Sequence, residues 1–509
     1  MFKRVPQLPK LLLSLCFSLL LLGLSSETFA DEIEFKNGAI ITGTITEQNS
    51  ETLSIKFDGK IVTYSKLDIK NITFDEKPIA PPQPLSIDGV KNPSAETAEY
   101  GVLNTERSGF RVADEENGSL NVSIWAYTRY INQLALDDKY TDGSGVEKDV
   151  AIRNDIQYSK ASVQFKGWVL SKRLHYLTYL WASLNSMGGE TGMAVAGNLE
   201  YYLTDSMKVG GGIQGLPTSR GMELNHPRFN RVDVRTMSGE YFRGSYASGI
   251  WLEGAAGEDF YYRTVLANGL SKLGVDAGQI DTKLATWSTG VWWAPIGEYC
   301  APGMIWNGGG YGDFIGHENP AVRFGAHYTN SVEDALSQPG VDDPENSQIR
   351  LSDGRLIFKS PELFDGGHLD EVRYQMVAMD VGVKYRGFGV EAEYYYRHLD
   401  NFVFLDATDP DAFGSMVDTG FSIETSYMVL DKKLQAFVIG SQIYGDFGDP
   451  WDTALGVNWF PIQTKGFERQ FRINADAQYT SQSPIGNLSL PYTVGGSGWT
   501  YTLVAELFF

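Results

Sequence analysis

Cysteine is nearly absent: Cys16 and Cys300 are the two in 509 residues. A disulfide framework and a cysteine-based metal site are thereby excluded. Histidine is scarce too, with His175, His226, His317, His327, His368 and His398. No two of them stand at metal-ligand spacing, and neither His-Glu-x-x-His nor Gly-x-Ser-x-Gly occurs. Positive charge is in deficit, 42 Lys and Arg against 63 Asp and Glu, for a net charge of −21. A nucleic-acid binder needs a basic face, so that class falls. After Leu24 no run of 18 apolar residues occurs, which excludes a helical span. A membrane barrel stays open, because its strands carry only short alternating signals.

Aromatic residues make up 13% of the chain and glycines number 55. So many aromatics argue against disorder. Lys3, Arg4 and Lys10 precede the apolar run from Leu11 to Leu24, and Thr28-Phe29-Ala30 follows. This predicts a signal peptide over residues 1–30. Residues 31–75 read as a small SH3-like or Sm-like β module of five short strands, its first hairpin turning at Asn37-Gly38. Residues 76–116, with Pro78, Pro81, Pro82, Pro84 and Pro93, read as a linker.

From 117 to 509 one texture persists. Phe471, Ile473, Ala475, Ala477 and Tyr479 alternate with Arg472, Asn474, Asp476 and Gln478. Val322, Phe324, Ala326 and Tyr328 alternate with Arg323 and His327. The expected strands are 118–131, 154–168, 173–187, 192–204, 207–216, 248–256, 258–268 and 283–295. They continue as 319–330, 370–386, 388–399, 416–429, 433–445, 451–462, 467–481 and 498–509. Sixteen is an even number, as bacterial barrels closed on themselves require. The fold class predicted is all-β: a sixteen-stranded antiparallel transmembrane barrel behind the small module. Short turns alternate with long loops, the habit of outer-membrane barrels. The last strand ends on Phe509, which resembles the signal read by barrel-assembly machinery.

The third long loop holds Arg220, Arg228, Arg231, Arg235 and Arg243, against Glu223, Asp233 and Glu240. Arg keeps its charge and its fork binds carboxylate or anion equally well. The loop is therefore either an anion filter or a scaffold of Arg–carboxylate pairs. Gly210-x-Gly212-x-x-Gly215 matches a dinucleotide fingerprint by letter, but no helix directly follows. Crowding at a barrel wall explains these glycines better, and no enzyme activity is expected.

Gly212-Ile213-Gln214-Gly215-Leu216-Pro217-Thr218-Ser219-Arg220 resembles a recurring stretch of bacterial porins. So do Glu240-Tyr241-Phe242-Arg243-Gly244 and Ala267-Asn268-Gly269-Leu270-Ser271. Phe165-Lys166-Gly167-Trp168, followed by Arg173-Leu174, adds a fourth. Together they resemble the phosphate-selective porin O and P family. The family's Pro after the second arginine is Gly244 here.

The resemblance implies an outer-membrane porin passing small hydrophilic solutes, phosphate or other anions among them, and assembling as a homotrimer. It implies a third loop folded inward, with Arg220, Arg228, Arg231, Arg235 and Arg243 at the constriction. Alternation sets Arg263, Arg323, His327, Arg397 and Arg472 on the lumen wall. Outer-membrane lipid and the assembly machinery are the expected partners, with no cofactor and no metal. The acidic net charge keeps a general or cation-preferring porin open, and so does a barrel anchoring a periplasmic binding module.

Overall fold

The computed structural model describes residues 31–37, 39–48, 52–57, 60–73, 103–104, 109–184, 191–223, 228–257, 259–270, 283–299, 310–335, 349–406, 413–464, 467–486 and 489–508. The chain divides into two compact units, Met1–Asn92 and Pro93–Phe509. The predicted signal peptide, most of the Pro-rich linker and Phe509 lie outside the described residues.

In the first unit five strands form one sheet: Asp31–Phe35, Ile40–Gln48, Thr52–Phe57, Lys60–Ser65 and Ile69–Thr73. The first four run as a meander, and the fifth returns beside the first. Ile33, Phe35, Leu53 and Ile55 form its core. This is the small β module expected at 31–75.

In the second unit sixteen long strands close an antiparallel barrel. They are β1 Gly118–Leu136, β2 Asn154–Val169, β3 Ser171–Leu184, β4 Thr191–Thr204 and β5 Met207–Gly215. Next come β6 Tyr246–Ala256, β7 Phe260–Ala267, β8 Thr286–Ile296, β9 Ala321–Asp334 and β10 Leu369–Tyr385. The circuit ends with β11 Phe388–Phe404, β12 Met416–Leu430, β13 Leu434–Tyr444, β14 Trp451–Thr464, β15 Phe467–Ser481 and β16 Gly498–Phe508. Each strand overlaps one predicted segment. The pairing of β16 with β1, Val504 opposite Arg129, shuts the ring. Closure leaves no edge with unpaired backbone groups.

One boundary differs from the prediction. Gly109–Glu115, expected as linker, is a strand that pairs with the start of β1, Phe110 opposite Val122. It takes over the edge of β1 where β16 stops at Phe508 opposite Trp125. Backbone donors left by the shorter strand are thereby satisfied.

The period-two pattern sorts side chains by face. On β12, Asp418, Ser422, Glu424 and Ser426 are buried inside, while Phe421, Ile423 and Tyr427 are exposed outside. Val195, Ile250, Trp293, Phe324, Met379, Val438 and Leu455 extend this apolar exterior round the barrel. So broad an apolar exterior suits a lipid surround rather than water.

Candidate functional site

The interior is filled by connecting segments. The described parts of the loop between β5 and β6, residues 216–223 and 228–245, fold into the barrel. Leu216, Val234, Met237, Tyr241 and Phe242 pack there with Tyr374, Met376 and Tyr395 of β10 and β11. Two short helices shape the loop, α1 Arg220–Glu223 and α2 Met237–Phe242. Thr236 caps α2 by accepting the Gly239 N–H at 3.1 Å. Phe242 stacks on Tyr395, ring centroids 5.0 Å apart, and its carbonyl accepts from the Tyr374 hydroxyl at 2.7 Å.

The loop arginines divide into two groups. Arg220 and Arg231 are anchors, with side chains only 1% and 2% exposed. Arg220 pairs with Glu223 at 3.4 Å and Glu391 at 3.3 Å, and its N–H donates to Glu393 at 2.7 Å. Arg231 donates to Asp476 at 2.9 Å and Gln478 at 3.1 Å. Arg235 and Arg243 keep 12% and 20% exposure. Both hold Glu240, at 3.2 and 2.7 Å. Burial opposes ionisation of Glu240, but the two guanidiniums outweigh it and hold its pKa below the ordinary carboxylate value. Arg228 is half-buried. His226 lies outside the described residues.

Arg263, Arg323, His327, Arg397 and Arg472 are buried among polar and charged partners. Arg263 pairs with Glu253 at 3.0 Å. Arg323 reaches Glu223 at 2.8 Å and Asp380 at 3.1 Å. His327 sits 3.0 Å from Asp380 Oδ2 and 3.0 Å from the Pro217 carbonyl. Arg397 donates to Asp418 at 2.6 Å and to the Arg350 carbonyl at 2.8 Å. Arg472 holds Glu506 at 2.6 Å and the Phe229 carbonyl at 2.7 Å.

Connecting segments come from both ends of the barrel. Residues 349–364 bring in Ile349, Leu351, Ile357 and Phe364, and the connection between β15 and β16 brings in Ile485, Leu490 and Tyr492. From the short-turn end the connection between β8 and β9 adds Tyr299, whose hydroxyl donates to Glu391. The Tyr311 N–H donates to the Arg228 carbonyl at 2.9 Å, so loop and turn meet inside. Asp313 fastens this turn, accepting from the Gly387 N–H at 2.8 Å and meeting His317 at 2.5 Å. The Asp313 contact raises the His317 pKa above its usual value. Burial pushes the Asp313 pKa up, yet His317 and the Gly387 N–H hold it below the ordinary range.

One arc of the wall stays partly open. Inward residues of β9 to β16, such as Arg323, Glu393, Ser441 and Asn474, are buried. Gln164 and Lys166 on β2, Tyr179 and Trp181 on β3, and Asn198 on β4 are only half-buried. The anchors hold the loop against the acidic arc β10 to β15, and the half-buried inward side chains lie on the β2–β4 side, taken as a slot. Across it the loop brings Asp233 to Lys160 at 2.5 Å, and Arg228 within electrostatic reach of Lys166. On this side Lys160 pairs with Asp233, Lys166 lies within electrostatic reach of Arg228, and Arg235 and Arg243 share Glu240. Glu200 stands at the edge of the slot, paired with Lys208 at 2.9 Å.

Several of these residues were missed in the sequence. Lys160 and Lys166 carried the signal of inward parity on β2, as Arg129 did on β1. Arg129 donates to the Val232 carbonyl at 3.0 Å and the Ser489 carbonyl at 2.6 Å. Asn230 had no signal; it binds Glu424 at 2.9 Å and takes Gln435 at 3.2 Å.

Glu223, His327 and Asp380 each offer an atom within 4.8 Å of the others, a spacing one metal ion could span. The donor set fits a metal poorly, because Arg323 already binds both carboxylates. The fingerprint glycines serve packing: a Cβ on Gly210 would stand 2.2 Å from the Trp251 indole, and Gly212 has φ +126°.

No protein-family model matches the chain, and no curated protein does. Among solved structures it is similar to an outer-membrane protein OmpT of Vibrio cholerae, at 11% identity and a TM-score of 0.45, covering 78% of this chain and 99% of that one. It is similar to an anion-selective porin from Comamonas acidovorans at 11% identity and a TM-score of 0.44, covering 77% and 100%. The outer-membrane channel DcaP of Acinetobacter baumannii gives 8% identity and a TM-score of 0.44, covering 78% and 99%.

Proposed function

We propose that this chain is an outer-membrane porin, a passive channel that prefers small anions. The observation that carries the reading is the asymmetric lumen. Arg220 and Arg231 hold the third loop on the acidic arc, leaving a slot beside β2–β4 with five cations and two carboxylates among the described residues. Cations lining a narrow pore lower the barrier for anions. Part of the negative net charge is offset inside the barrel, where Glu253, Asp380, Glu391, Asp418, Asp476 and Glu506 each face a cation.

The apolar exterior supports the membrane setting. In it the short turns face the periplasm, where the signal peptide would deliver the chain and the 31–75 module would sit. Phe509 would mark the chain for the assembly machinery, and three copies would associate through their exteriors. Phosphate is one solute of the right chemistry.

The test is conductance of the purified protein in a planar bilayer. Discrete steps in KCl support the channel. The extent of lumen filling favours a second reading, a plugged barrel that anchors the periplasmic module; absent conductance is its result.

A further inference from the structure

The open arc of the lumen carries rings as well as cations. Trp181 and Tyr179 stand on the inward face of β3, both half-buried. The Lys160 ammonium lies over the Trp181 ring, 5.5 Å from its centroid. Tyr246, where the loop re-enters the wall, is within electrostatic reach of Tyr179, Arg235 and Arg243. Inward aromatics on the other arcs, such as Tyr395 and Trp292, are buried. In the slot, rings and cations share one partly open surface.

A small inorganic anion would use only the cations of such a surface. A planar organic anion would use both, its carboxylate competing with Asp233 for Lys160 or with Glu240 for Arg235 and Arg243, and its ring against Trp181 or Tyr179. Offset aromatic contacts add attraction beyond the charge.

We infer that the slot favours aromatic carboxylates over aliphatic ones of the same charge. This rests on the anion-channel reading above and names the solute class for it.

The experiment is a pair of bi-ionic potentials across a planar bilayer holding the purified full chain. Benzoate is compared with acetate, then with cyclohexanecarboxylate, which has a similar size and no π face. Wild type is expected to pass benzoate roughly 2- to 10-fold better than either, the range one ring contact supplies. Free diffusion alone would put benzoate behind acetate. Trp181→Leu is expected to abolish the excess while KCl conductance persists. Benzoate permeability at or below both controls in wild type overturns the inference, whether or not the variant folds. An excess that survives Trp181→Leu overturns the assignment to this surface. Failure of the channel reading is distinct: it shows as no KCl conductance, or as cation selectivity in KCl before any organic ion is added.

Discussion

Arg231 and Asp476 meet inside the barrel at 2.9 Å, although 245 residues separate them in sequence. One lies in the folded-in loop and the other on β15, and both side chains are 2% exposed. Removing one partner would leave the other charged in a buried site, at a cost of about 3–5 kcal/mol. Arg231→Ala is therefore expected to lower the thermal stability of the detergent-folded protein and to make bilayer currents noisier as the loop lifts. Arg231→Leu with Asp476→Leu should recover most of the stability. Equal stability of Arg231→Ala and wild type would show that this pair does not anchor the loop.

Glu240 is shared by Arg235 and Arg243 and offsets one of their two charges. Glu240→Gln keeps the shape and makes the slot more positive by one charge. The reversal potential in a KCl gradient should move toward the chloride limit. No movement would place those two guanidiniums away from the ion path.

The turn 310–320 is fastened by a titratable pair. His317 has a raised pKa, so its contribution is complete below its ordinary value of 6.5 and disappears as pH climbs through the raised one. Asp313 has a lowered pKa, so its contribution is complete above 3.8 and fades as pH falls through the lowered one. Hydrogen exchange at the Gly387 amide, which Asp313 holds, should be slowest between about pH 4 and 6.5 after correction for intrinsic rates. His317→Ala should flatten the alkaline side of that profile; an unchanged profile would contradict the assignment.

A methyl group at position 210 has nowhere to go, since the Trp251 indole occupies its place. Gly210→Ala is expected to cost about 1–3 kcal/mol, as overpacking does. Nicotinamide dinucleotides should leave the melting temperature of wild type unchanged. A dinucleotide-dependent rise would revive the fingerprint reading of these glycines.

The wall of this barrel was legible because alternation repeats in every strand. A run such as Arg472, Asn474, Asp476 and Gln478 against Phe471, Ile473, Ala475 and Ala477 states which face is inside without any partner being known. The contents of the lumen were not legible. Arg220 and Arg243 look alike in sequence, yet one is buried against Glu391 and the other stays in the slot. Their difference depends on carboxylates more than 100 residues away, which local spacing does not encode. Tyr299 reads as a residue of a long turn; only the Glu391 it meets on β11 shows that the turn enters the barrel. Lys166 was visible within a porin-like stretch, but its importance comes from Arg228 across the slot.

The central claim is that the slot beside β2–β4 conducts and prefers anions. The most direct measurement is the reversal potential of wild type in a KCl gradient, repeated with Lys166→Gln. The account predicts an anion-selective potential that weakens in the variant. A cation-selective potential in wild type, or none because nothing conducts, would contradict it.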